Sequence, residues 1–64
     1  MSEELNEDFL EKYEELKVLL EVLQKDVEKH ANGNKSAGVR TRKGLRAAKK
    51  LAAEIVKMSL SIDK

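Results

Sequence analysis

The fold of this chain is decided by the four residues Ala31-Asn32-Gly33-Asn34, which interrupt an otherwise helix-forming sequence. Gly33 readily adopts the left-handed conformation that closes a helix, and Asn34 is a preferred N-cap for the next helix. So short a connection places the two helices side by side in antiparallel orientation. The sequence therefore predicts an all-α antiparallel helical hairpin. It forms a single domain over residues 1–64, with helices at 3–30 and 35–61 and a turn at 31–34.

Apolar residues before the turn follow the spacing of a packing helix. Alternating steps of four and three residues, the heptad pattern, connect Phe9, Tyr13, Leu16, Leu20, Leu23, Val27 and His30. Ser2 is the expected N-cap, and the carboxylates of Glu3 and Glu4 in the first turn complement the helix dipole. We interpret this segment as an amphipathic helix whose acidic residues face away from the apolar seam.

After the turn, a second apolar stripe repeats at the same steps. It comprises Ala37, Thr41, Gly44, Ala48, Leu51, Ile55, Met58 and Ile62. Its first half consists of small residues, which let another helix approach closely and explain Gly44, whereas Gly38 has no explanation in the sequence. Because a chain of 64 residues without Cys buries only a thin core, we expect the hairpin to dimerise into a four-helix bundle.

Charge divides the chain into two unlike halves. Residues 1–32 hold ten acids and four bases, whereas residues 33–64 hold two acids and nine bases. An asymmetry of this size indicates an electrostatic partner for one half.

The sequence offers no recognisable catalytic or metal site. It has no Cys, and its single His, His30, lies on the apolar seam, where helix packing explains it. The glycines lack the spacing of a phosphate-binding loop, and no nucleophile motif surrounds a Ser. We predict no enzymatic activity, no cofactor, no metal and no small-molecule substrate. An acidic N-terminus and the absence of a membrane-length apolar run predict a cytoplasmic protein.

The bases of the second helix share the face opposite its apolar stripe. At 100° per residue, seven of them fall within an arc of about 120°, and Arg40 lies near its margin. Such a face attracts a polyanion, and phosphate contacts give affinity without base readout. Because the basic half has no aromatic residue for stacking on single strands, duplex DNA is favoured. The candidate DNA-binding residues are Lys35, Arg40, Arg42, Lys43, Arg46, Lys49, Lys50 and Lys57.

A family pattern is present at residues 33–43, which read Gly33-Asn34-Lys35-Ser36-Ala37-Gly38-Val39-Arg40-Thr41-Arg42-Lys43. This stretch resembles the bacterial histone-like proteins of the chlamydial linker-histone-like type. Their N-terminal helical region carries a Gly-Asn-Lys-x-Ala-x-x-Arg-x-Arg run in the turn and the start of the second helix. The resemblance implies non-specific binding of double-stranded DNA and chromosome compaction in the nucleoid. It also implies phosphate contacts by Lys35, Arg40, Arg42 and Lys43.

Other interpretations fit the same residues. The basic helix could simply pair with the acidic helix, although most of its bases point away from the stripe that packs. It could lie on anionic lipid, but its apolar stripe is rich in Ala and Gly and lacks Trp and Phe. The chain could also be a helical protein-interaction or assembly module with no nucleic-acid role, or a purely structural helical oligomer.

Overall fold

Two helices account for almost all of residues 6–63, the part of the chain that the computed structural model describes. They are α1 (Glu7–Ala31) and α2 (Lys35–Ile62). The helices are antiparallel: His30 contacts Gly38 beside the turn, and Lys12 contacts Glu54 near the other end. No strand occurs in the described residues, and the predicted all-α hairpin is confirmed.

The turn closes one helix and opens the next through backbone and side-chain hydrogen bonds. Gly33 has a φ of +100°, the left-handed conformation that the sequence predicts. The N–H of Gly33 donates to the carbonyl of His30 (2.9 Å), and that of Asn34 donates to the carbonyl of Lys29 (3.0 Å). These two bonds form a Schellman motif. The Asn34 side chain then accepts from the N–H of Ala37 at 2.9 Å, so the predicted N-cap is confirmed.

Helix α1 begins with its own Asn cap. The Asn6 side chain accepts a hydrogen bond from the N–H of Phe9 at 3.0 Å, and the helix begins at Glu7. The Asn6 side chain supplies the cap, so Asn6 lies just outside the helix. The prediction of a helix that starts at residue 3, and so includes Asn6, is wrong for this residue. The predicted N-cap Ser2 and first-turn acids Glu3 and Glu4 lie outside the described residues. The far ends, Ala31 and Ile62, differ from the predicted ones by a single residue.

The surface of α1 that contacts α2 is rotated from the predicted seam. Leu23 is buried, and the line of least exposed residues runs through Phe9, Lys12, Leu16, Leu19, Leu23 and Asp26. Every second seam position is instead exposed, namely Tyr13, Leu20 and Val27. These residues are exposed because one neighbouring helix covers only part of a stripe this wide. The Lys12–Glu54 and Arg40–Asp26 ion pairs lie on the other side of the contact between the helices.

Small residues of α2 bring the two helices together. Ala37, Gly38, Thr41 and Ala48 are buried, as the small-residue stripe predicts. A Cβ added to Gly44 would lie 2.5 Å from Leu23 Cδ1, so Gly44 provides the space that Leu23 fills. A Cβ on Gly38 would lie 2.7 Å from the exposed His30 ring, so Gly38 lets this ring lie over α2. The resulting core is thin, and no large side chain of the described residues is fully buried.

The two helical glycines are expected to respond oppositely to alanine. Gly44→Ala forces a methyl group against the buried Leu23. Overpacking exceeds the gain in helix propensity, so the free energy of unfolding should fall by about 1 kcal/mol. Gly38→Ala meets only the exposed His30 ring, which can swing aside, so the free energy of unfolding should stay level or rise. Urea unfolding followed by circular dichroism at one protein concentration compares them, and equal losses would contradict this packing.

Candidate nucleic-acid interface

Helix α2 carries its bases on the side that faces away from α1. Since α2 packs through Ala37, Thr41 and Ala48, residues about half a turn away from these point outward. All eight predicted site residues are exposed, namely Lys35, Arg40, Arg42, Lys43, Arg46, Lys49, Lys50 and Lys57. The hairpin therefore displays them along one helix that spans about 33 Å from Lys35 to Lys57.

Arg40 differs from the other bases because it is bound to α1. Its Nε–H donates to the Asp26 carboxylate at 3.0 Å, and the Asp26 side chain is 24% exposed. This pair orients Arg40 toward the edge of the hairpin and offsets part of its charge. Sequence reasoning missed Asp26. The sequence signal for Asp26 was its position. It continues the side of α1 that carries Phe9, Leu16 and Leu23, and it lies just before the turn that leads to the arginines of α2.

The remaining bases have no carboxylate partner within residues 6–63. These seven, which we call the basic face, are Lys35, Arg42, Lys43, Arg46, Lys49, Lys50 and Lys57. The one acid within α2, Glu54, is turned toward Lys12 of α1 at 3.6 Å and does not interrupt them. One of the eight bases, Arg40, pairs with α1. The interpretation that α2 simply pairs with the acidic helix therefore does not account for the basic face.

The electrostatic contrast between the helices is large. Helix α1 contains eight acids and four bases, a net charge of −4, whereas α2 contains one acid and eight bases, a net charge of +7. Most α1 acids are exposed on the side away from α2. The molecule is nearly neutral in total yet carries a concentrated positive field along α2, the arrangement that attracts a polyanion.

The basic face is an elongated cationic strip, because its exposed Lys and Arg side chains project from a single helix. In residues 6–63 no group of three His, Asp or Glu side chains is placed to hold a metal ion. Neither of the described helices is long and apolar enough to cross a membrane. His30 lies with its ring over Gly38, in the packing position that its place on the seam predicts.

Comparison with known proteins identifies one family. The family model described as histone H1-like protein Hc1 matches residues 10–64, which include nearly all of α1, the turn and all of α2. No curated protein and no solved structure matches the chain. The family match extends over most of the hairpin and confirms the resemblance that residues 33–43 indicate.

Proposed function

The chain belongs to the family of histone H1-like protein Hc1, and from this membership we propose that it binds duplex DNA without sequence preference. The basic face of α2 contacts the phosphates, and Arg40 contributes when it leaves Asp26. Binding of many copies compacts the chromosome in the nucleoid, within the cytoplasm. No step of this function requires catalysis or a cofactor.

The observation that carries the proposal is the absence of any carboxylate partner for the basic face within residues 6–63. A cation that is already paired gains little from a phosphate, because the new contact replaces an existing one. Seven exposed, unpaired cations instead release condensed counterions from DNA as each one contacts a phosphate. Their spread along a helix about one DNA turn long suits contacts along the duplex backbone.

The composition of α2 favours contacts to the backbone rather than to bases. It contains no Asn or Gln, the residues that pair with adenine in the major groove. It also contains no aromatic residue on which unpaired bases could stack. Five of the eight bases are Lys, which bind phosphate as flexible point charges. These features support sequence-independent binding to a duplex.

Salt dependence tests the proposal. If about half of the basic face touches phosphates, a plot of log K against log salt should have a slope of about −3 for each bound protomer. Fluorescence anisotropy with two unrelated duplexes at several salt concentrations measures this slope, and both duplexes should give the same affinity. No binding at low salt would contradict the proposal and favour the protein-interaction module. A large affinity difference between the duplexes would contradict backbone recognition.

Matched lysine substitutions test which helix contacts DNA. Lys43→Gln with Lys50→Gln removes two charges from the basic face, whereas Lys25→Gln with Lys29→Gln removes two exposed charges from α1. The α2 pair should make the salt slope shallower by about 1, since about half of the basic face touches phosphates and each lost phosphate contact changes the slope by about 1. The α1 pair should leave the slope unchanged. Equal effects of the two pairs would show that net charge, rather than the α2 surface, governs affinity.

A further inference from the structure

An apolar side chain lies in the middle of the basic face. Val39 is 58% exposed, and it points away from α1, at about 170° around α2 from the line of contact between the helices. Lys35 and Lys43, four residues before and after it, lie about 40° to either side. A single exposed valine is ordinary on a protein surface. This one is distinguished by its place between cations on both sides.

Six of the seven bases form two rows along α2, and each row advances in steps of seven residues. The rows are Lys35, Arg42 and Lys49, and Lys43, Lys50 and Lys57. Between them runs a ridge with the same spacing, which consists of Val39, Arg46, Ala53 and Leu60. All four ridge residues are exposed, and only Arg46 is charged. The basic face is therefore two cationic rows that flank a mostly uncharged ridge.

Two cationic rows match the two phosphate strands that border a groove of DNA. The major groove is about 12 Å wide and admits an α-helix, whose diameter with side chains is about 10–12 Å. The minor groove is only about 6 Å wide and does not admit one. A helix that lay along a single strand would direct one row at phosphates and leave the other row in water. The two rows therefore favour the major groove.

We propose that the first half of α2 enters the major groove with Val39 facing the floor of the groove. This inference rests on the proposed DNA binding and specifies its geometry. Lys35 and Arg42 contact one phosphate strand, and Lys43 contacts the other. The groove winds around the duplex, so a straight helix follows it for only part of the roughly 33 Å from Lys35 to Lys57. Contact of about half of the basic face with phosphates is the consequence.

The packing of the hairpin leaves α2 free to enter the groove. Helix α2 contacts α1 through Ala37, Thr41 and Ala48, on the side opposite Val39. Helix α1 therefore lies behind α2, about 10 Å farther from the duplex, and its carboxylates stay away from the phosphates. The first half of α2 is the half that enters, because it is richer in bases. Four of the seven lie there, namely Lys35, Arg42, Lys43 and Arg46.

In the groove, Val39 supplies affinity of a different kind from that of the bases. Its aliphatic side chain leaves water and contacts apolar atoms of the groove, such as thymine methyl groups. It has no hydrogen-bonding group, so it does not read the donor and acceptor pattern of the base pairs. Counterion release makes the phosphate contacts weaken with salt, whereas the contribution of Val39 is independent of counterions.

Cysteine cross-linking identifies the groove, since the chain has no Cys of its own. Val39→Cys protein is mixed with duplexes that carry a tethered thiol either on a pyrimidine C5, in the major groove, or on a guanine N2, in the minor groove. The major-groove thiol should form a disulfide at least ten times faster. Val22→Cys, a control on α1 at a position 71% exposed, should react slowly with both. Faster reaction of Val39→Cys with the minor-groove thiol, or slow reaction with both while the protein binds DNA, would overturn the proposal.

The salt dependence of a Val39→Ala protein provides a second readout. Its affinity for duplex DNA should be about five-fold lower at every salt concentration, with an unchanged slope, because apolar contact rather than charge is lost. Alanine favours helix more than valine does, so unfolding does not explain such a loss. Val22→Ala makes the same change on α1 and should leave the affinity unchanged. Wild-type affinity of Val39→Ala would overturn the contact of Val39 with DNA, whereas wild-type protein that does not bind DNA would refute the proposed function itself.

Discussion

The contact of Leu23 with Gly44 is the constraint on which the rest of the molecule depends. Because Gly44 has no side chain, α2 approaches closely enough for Leu23 to fill the space beside it. That contact fixes both the rotation and the register of the two helices. The rotation turns seven bases of α2 toward solvent and leaves Tyr13, Leu20 and Val27 outside the hairpin. The exposed basic face and these uncovered apolar residues are therefore two consequences of one packing arrangement.

Much of the architecture is predictable from local signals. Gly33 and the Asn34 cap are short-range features whose physical roles depend on few neighbours, so the left-handed Gly33 and the Asn34 cap are both found as predicted. The small residues of α2 likewise predict which side packs. The rotation of α1 was not predictable, because its apolar stripe is wider than one helix covers, and periodicity alone does not say which part faces α2. The Asn6 cap was missed because Ser2, Glu3 and Glu4 offered a competing start signal.

The candidate site shows the same division. Exposure of its eight bases follows from helical periodicity and is found as predicted. The Arg40–Asp26 pair depends on how the helices are placed side by side, and it separates Arg40 from the other bases. The family match and the charge distribution of α2 point to the same polyanionic partner.

The central claim is that DNA contacts the outer face of α2, and an NMR titration tests it most directly. Backbone and side-chain resonances of ¹⁵N-labelled protein would be followed as a random-sequence duplex is added. The account predicts that shifts and line broadening concentrate on the residues of the basic face, while those around Glu11, Glu15 and Val22 of α1 stay nearly unchanged. Perturbations centred on α1, or spread evenly over both helices, would contradict it.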